Sequence, residues 1–173
     1  MSVRQLYQQT LAERGYSADS AQLAAVASLE RCENEWIEYK SRRRNALTKL
    51  LIRPEIPRGV YMYGGVGRGK SFLMDCFFNS VPLERKARLH FHEFMREVHR
   101  ELADLHGTVN PLEVLGQRMS RRFRLICFDE FHVADITDAM ILYRLLESLF
   151  NHRVSIVTTP NFHPDGLYPN GLN

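Results

Sequence analysis

The chain lacks any apolar run long enough to cross a bilayer. Its start, MSVRQLYQQTLAERG, has no apolar core and does not read as a secretory signal. Cysteine is scarce: Cys32, Cys76 and Cys127 are odd in number, far apart, and without CxxC or zinc-ligand spacing. That pattern argues against a disulfide framework or a zinc site, and for buried free thiols in a reducing compartment. Charge of one sign is missing as well. The formal net charge is only +3, too little to point to nucleic acid. No repeat, no low-complexity segment and no N-K-x-D segment occurs, and the last absence speaks against guanine specificity. What remains is a globular chain of 173 residues, long enough for a real core, expected in the cytoplasm or inside an organelle.

Helical patterns fill the first third. Val3, Leu6, Tyr7 and Leu11 recur near helical spacing, and Gly15 fits the residue after a helix end. The stretch from Ser17 to Leu51 is helix-friendly, with Asp19 or Ser20 as N-cap, and is expected to break into two helices near Ser41. RPEIPRG stops this region, because two prolines and a glycine cannot continue a helix. These signals divide the chain into an N-terminal helical segment, 1–53, and a core, 54–173.

From Gly59 the pattern alternates. GVYMYG reads as a strand and GKSFLMDCFFNSV as a helix. ARLHFHEF reads as a second strand, followed by the helix MREVHRELADLHG. NPLEVLGQRMSRR reads as a helix with Asn110 as N-cap, Pro111 at N1 and Glu113 at N3. FRLICFDEF is a third strand, DITDAMILYRLLESLFNHR a helix and VSIVTTPN a fourth strand. Strands alternating with helices predict an α/β fold, a parallel sheet with helices on both faces.

The stretch YMYGGVGRGKSFLMD carries the chemistry. Gly64, Gly65, Val66, Gly67, Arg68, Gly69, Lys70 and Ser71 fit G-x-x-x-x-G-K-[ST], the P-loop, between a predicted strand and a predicted helix. A triphosphate is wrapped by backbone N–H groups pointing inward, which needs glycine dihedrals and no Cβ in the way. The helix that follows offers its positive end to the phosphates. Lys70 then reaches the β- and γ-phosphates and the Ser71 hydroxyl ligates Mg2+. Phe72, next in line, is counted with the nucleotide-binding set. The other reading of the stretch is a glycine-rich turn with an exposed lysine. A dinucleotide fingerprint fails, because glycine would be needed where Lys70 stands.

The third strand ends in Asp129 and Glu130. Beside a P-loop, such an aspartate holds the Mg2+ shell and the adjacent glutamate polarises the attacking water. Two neighbouring carboxylates need a counter-charge, which Mg2+ supplies. Alone, the pair would read equally well as a surface acidic turn. The fourth strand ends VTTPN, where Asn161 is the candidate to position the water, with Thr159 behind it. A turn-starting asparagine is the alternative.

Beyond these motifs, YMYGGVGRGKSFLMD, HFHEFMREVH, CFDEFHVADITDAMIL and PNFHPDGLYPNGL resemble the ZapE ATPases of bacterial cell division, whose mitochondrial relatives act in respiratory-chain protein quality control. The resemblance is dense from Gly59 to the end and weaker before Arg53. It implies an AAA+-type P-loop ATPase that couples ATP to the remodelling of a protein partner. Lys70 and Ser71 fall on Walker A, Asp129 and Glu130 on Walker B, and Asn161 on the sensor asparagine. The partner implied for a bacterial member is the division ring and its FtsZ polymers, which places the protein in the cytoplasm at the division site. A homo-oligomer and peripheral membrane association stay open, while nucleic acid is not expected. Two departures stand out. Pro160 replaces the family's usual serine and removes a backbone donor. The chain also stops at Asn173, where the family continues with an arginine-containing segment, a fifth strand and a helical part. By resemblance the arginine finger is therefore absent, and the expectation is a chain that binds nucleotide but hydrolyses it poorly. The first strand would then be an apolar edge open to self-association. The rival to an Mg2+-dependent ATPase is a nucleotide-responsive interaction module with little hydrolysis.

Other signals weigh less. His90 and His92 alternate on the predicted second strand, which puts them on one face, but no third ligand has a useful spacing. Arg42, Arg43, Arg44 and Lys49 read as a solvated helix face, or as a contact for an acidic partner, lipid headgroup or nucleic acid. Arg121, Arg122 and Arg124 fit a helix end whose dipole they complement. Phe77, Phe78 and the stripe Leu145, Leu146, Leu149 and Phe150 read as core. Adenine contacts are expected from IRPEIPRG and the helices before it.

Overall fold

The computed structural model describes residues 1–62, 69–133 and 135–159. In chain order it holds helices α1 (Val3–Arg14), α2 (Ser20–Ser41) and α3 (Ala46–Leu51), strand β1 (Val60–Tyr61) and helix α4 (Lys70–Ser80). Then come β2 (Lys86–His90), α5 (Phe91–Asp104), α6 (Pro111–Arg122), β3 (Leu125–Asp129), α7 (Ile136–Asn151) and β4 (Ser155–Thr159). The described residues of Met1–Val60 and Gly67–Glu84 form one compact unit, and those of Tyr61–Val66 and Arg85–Asn173 form another.

In the first unit, α1 lays Val3, Tyr7 and Leu11 inward, and α2 answers with Val26, Leu29, Cys32 and Trp36. Asp19, the N-cap of α2, accepts from the Ala21 amide at 2.7 Å. Glu33 is buried, yet its carboxylate has a partner: it accepts from the Val3 amide at 3.0 Å, where the helix dipole of α1 is positive. Tyr7 and Phe72 stack at 5.7 Å and tie α1 to α4. The predicted break near Ser41 is where α2 ends.

The second unit is built on a four-stranded sheet in the order β1-β4-β3-β2, with β2–β3 and β3–β4 parallel. The Met62 amide donates to Thr158 O at 2.9 Å and continues the β1 edge. Register pairs Arg88 with Cys127, and His90 with Asp129, which in turn faces Thr159 on β4. Side chains alternate, so the strands divide into two sets. Leu89, Ile126, Phe128 and Ile156 join the apolar cluster of Phe91, Phe94, Leu115, Leu142 and Leu145 from α5, α6 and α7. Arg88, His90, Cys127, Asp129 and Thr159 point to the other face. Arg85 anchors the start of β2: its backbone oxygen accepts from the Arg124 amide at 2.7 Å and its guanidinium donates to Ser120 O at 2.8 Å.

Where α6 crosses α7, Gly116 meets Ser148. A Cβ on Gly116 would lie 2.1 Å from Ser148 Oγ and 2.6 Å from Ser148 Cβ. Only glycine allows this approach.

Three sequence readings change. ARLHFHEF is not all strand: β2 ends at His90 and α5 begins at Phe91 with no loop between. Asn110 and Pro111 stand at the start of α6 as predicted, but Asn110 adopts a left-handed backbone (φ +51°) and makes no side-chain capping bond. Phe150 is exposed rather than core, although Leu145 and Leu149 beside it are fully buried. All three cysteines are buried and free.

Candidate functional site

Helix α4 starts at the end of the glycine-rich motif. Gly69 is its N-cap, in a left-handed conformation (φ +73°) and without a side-chain cap. A Cβ there would also sit 2.7 Å from Gln22 Nε2, so both dihedral and space demand glycine. A glycine cap leaves the first-turn N–H groups to partners other than a capping side chain, and a helix N-terminus of this kind suits an anion. Lys70 opens the helix, half-buried, and burial pulls its ammonium below the ordinary lysine value. A phosphate beside it would favour the charged form again. The next residue, Ser71, is exposed. The Phe72 ring stacks on Tyr7 and lies 5.4 Å from the Arg14 guanidinium, so its side chain is committed to packing. Gly64, Gly65, Val66, Gly67 and Arg68 lie outside the described residues.

In the second unit, β3 places Asp129 at the carboxyl end of a parallel strand, where ligand sites of open α/β sheets lie. Asp129 is only 6% exposed. Arg88 Nε donates to Asp129 Oδ2 at 2.7 Å and Arg88 Nη2 to Oδ1 at 3.3 Å. The two side chains share a sheet face with a register offset of two residues, which a long arginine spans and a shorter cation would not. The fork-on-fork geometry is that of a strong charge-assisted pair. Glu130 turns the chain in a left-handed conformation (φ +55°) and is exposed. That backbone is costly for a residue with a Cβ and recurs at functional positions. Two adjacent carboxylates thus occupy unlike surroundings: Asp129 buried against a cation, Glu130 open to water. Thr159 is buried, and its hydroxyl donates to Phe128 O at 3.4 Å. Pro160 and Asn161 lie outside the described residues.

Each unit offers a ligand type that suits a hard cation such as Mg2+: the Ser71 hydroxyl in the first and the Asp129 carboxylate, already paired with Arg88, in the second. His90 and His92 do not share a strand face, because His92 lies in the first turn of α5. Among the described residues no group of three or more His, Cys, Asp and Glu side chains could hold a metal ion.

Sequence reasoning missed Arg88 and Gln22. Tyr7 hydroxyl donates to Gln22 Oε1 at 2.9 Å and so orients the amide that fills the space beside Gly69. Neither contact has a local signature: the Arg88 partner is 41 residues away. The one hint was a charged side chain in the middle of a strand. The IRPEIPRG stretch forms a groove of about 430 Å3 with the last turns of α2, lined by Glu35, Tyr39, Arg42, Glu55, Ile56 and Arg58 among others. It begins about 20 Å along α2 from Gln22 by helical rise. Arg31 lies between, and its guanidinium donates to Arg58 O and Gly59 O at 3.3 Å.

The family model described as AFG1-like ATPase matches residues 1–173. The chain is 55% identical over 115 residues to the cell division protein ZapE of Escherichia coli strain K12, a match covering 66% of this chain and 31% of that one. It is 43% identical over 131 residues to lactation elevated protein 1 homolog B of Danio rerio, covering 69% of this chain and 26% of that one. The chain therefore spans under a third of the curated relatives it matches. Among solved structures, AMPPCP-bound DnaA from Aquifex aeolicus aligns with a TM-score of 0.60 at 17% identity, over 90% of this chain and 43% of that one. At such identity the likeness is one of fold.

Proposed function

The chain belongs to the AFG1-like ATPase family, with the AAA+-type P-loop fold, and from that premise we propose that it binds and hydrolyses ATP with Mg2+. The observation that carries this is the start of α4. A glycine-capped helix opens within the P-loop motif, with Lys70 and Ser71 in its first turn. In this reading the backbone of Gly64 to Phe72 wraps the phosphates and Lys70 binds the β- and γ-oxygens. Ser71 and Asp129 hold Mg2+, Glu130 takes a proton from the attacking water and Asn161 orients that water. Mg2+, when bound, neutralises charge on the phosphates. The exposure of Glu130 and the burial of Asp129 support this division of labour.

The likeness to a protein named for cell division supports a role there, and a protein partner remodelled at the cost of ATP is the proposed work, with FtsZ polymers as the first candidate. The proposed location is the cytoplasm, at the division site. The Arg88–Asp129 pair favours one second reading, a nucleotide-responsive interaction module with slow turnover, because the carboxylate proposed for Mg2+ is already held by a cation.

Calorimetric titration with Mg2+-ATP, beside Lys70→Ala, tests the reading. Saturable binding lost in the variant supports it, and equal binding in both removes Lys70 from the site. Turnover in the presence and absence of FtsZ polymers separates the ATPase from the interaction module.

A further inference from the structure

From Ser41 to Pro54 the chain reads SRRRNALTKLLIRP, with five cations and no acid. Helix α3 lies inside it and has no buried residue. Leu47, Leu50 and Leu51, spaced so that they share one side of the helix, are 65%, 74% and 71% exposed. Ile52 follows and is exposed too. Arg44, Lys49 and Arg53 are exposed around them.

A six-residue helix does not stand by propensity alone, and apolar burial does not hold this one. It is held by polar devices instead. Asn45 and Thr48 form a reciprocal cap, with Thr48 N to Asn45 Oδ1 at 2.9 Å and Asn45 N to Thr48 Oγ1 at 3.1 Å. Arg43 clamps the other end. Its guanidinium lies 5.4 Å over the Tyr39 ring, donates to Tyr39 Oη at 2.6 Å, and donates to Lys49 O at 3.0 Å. Arg42 is paired with Glu38 on α2. Arg43 is thus committed inside the protein and Arg42 to a surface pair, and the result is a braced helix that turns its leucines to solvent.

Exposed leucines flanked in sequence by exposed cations fit the chemistry of an anionic bilayer surface. Apolar side chains enter the acyl boundary while lysine and arginine meet headgroup phosphates. Nucleic acid would take the cations but leave the leucines in water. We infer that α3 with Arg44, Lys49 and Arg53 is a membrane-surface element that takes anionic lipid headgroups. No helix among the described residues is long and apolar enough to cross a membrane. A single short helix of this kind would sit at the headgroup level.

The test is co-sedimentation of the whole chain with phosphatidylcholine vesicles, with and without phosphatidylglycerol, over a range of salt. Binding is expected only with the anionic lipid and falls as salt rises. Leu50→Ser with Leu51→Ser lowers partitioning about tenfold or more, and Arg44→Ser or Lys49→Ser about fivefold each. Because these side chains are exposed, the circular-dichroism melting curve stays unchanged in every variant. Absence of binding at low salt, equal binding to neutral vesicles, or variants that bind like the parent would each overturn the inference. So would a duplex oligonucleotide that binds the same side chains while anionic vesicles do not.

Discussion

Arg88→Ala is the substitution with the clearest arithmetic. Asp129 is 6% exposed and both of its oxygens accept from Arg88. Removing the guanidinium leaves a buried carboxylate without that cation, which costs about 3–5 kcal/mol. The Arg88 side chain is itself 24% exposed, so water can enter the vacated space. That places the loss at the lower end, about 3 kcal/mol, or a drop of about 6–12 °C in Tm for a chain of this length. A double-mutant cycle with Asp129→Asn isolates the pair from other contacts of Arg88, and the expected coupling is about 1.5 kcal/mol or more by urea unfolding. Mg2+ with nucleotide should then stabilise Arg88→Ala more than the parent, since the carboxylate regains a positive partner. A coupling under about 0.5 kcal/mol would refute the argument, because contacting charges that do not couple are not holding each other.

Three further outcomes follow from the geometry. Glu130→Gln keeps ATP affinity and lowers turnover by about 100-fold or more, read by phosphate release; unchanged turnover removes Glu130 from the base role. Gly116→Ala destabilises by about 1–3 kcal/mol through overpacking, and Ser148→Gly, not Ser148→Ala, restores the loss, because Ser148 Cβ itself is 2.6 Å from the added methyl. Burial pushes the Cys32 thiol from an ordinary 9.0 up to about 12. The folded state therefore holds this proton longer than the unfolded one, so its contribution to stability is full below about pH 9 and is lost as pH rises toward 12. Cys32→Ala should flatten that part of an alkaline stability curve; an unchanged slope would show that other groups cause it.

The alternation of strands and helices was readable because each element carries its own period, and the P-loop was readable because its residues are contiguous. The strand β2 was overrun for a definite reason. His90, Phe91 and His92 alternate polar and apolar as a strand would, while the helical spacing of Phe91, Phe94, Met95 and Val98 shows only over a longer window. Phe150 falls on the right period for the core, yet α7 turns it out, since hydrophobicity says nothing about where a neighbour ends. The Arg88–Asp129 pair and the Gln22–Gly69 approach join residues distant in sequence, which no local pattern encodes. The outward leucines of α3 were invisible for the opposite reason: their composition is that of an ordinary buried helix.

The anchoring of β2 at Arg85 has a consequence for heredity. Three residues on, Arg88 must face Asp129, while Ala87 and Leu89 on either side of it face the opposite way. A single inserted or deleted codon between them would swing Arg88 into the apolar cluster and present a leucine or an alanine to the carboxylate. From Arg85 to Arg88 the strand thus tolerates no change of length without losing that pairing.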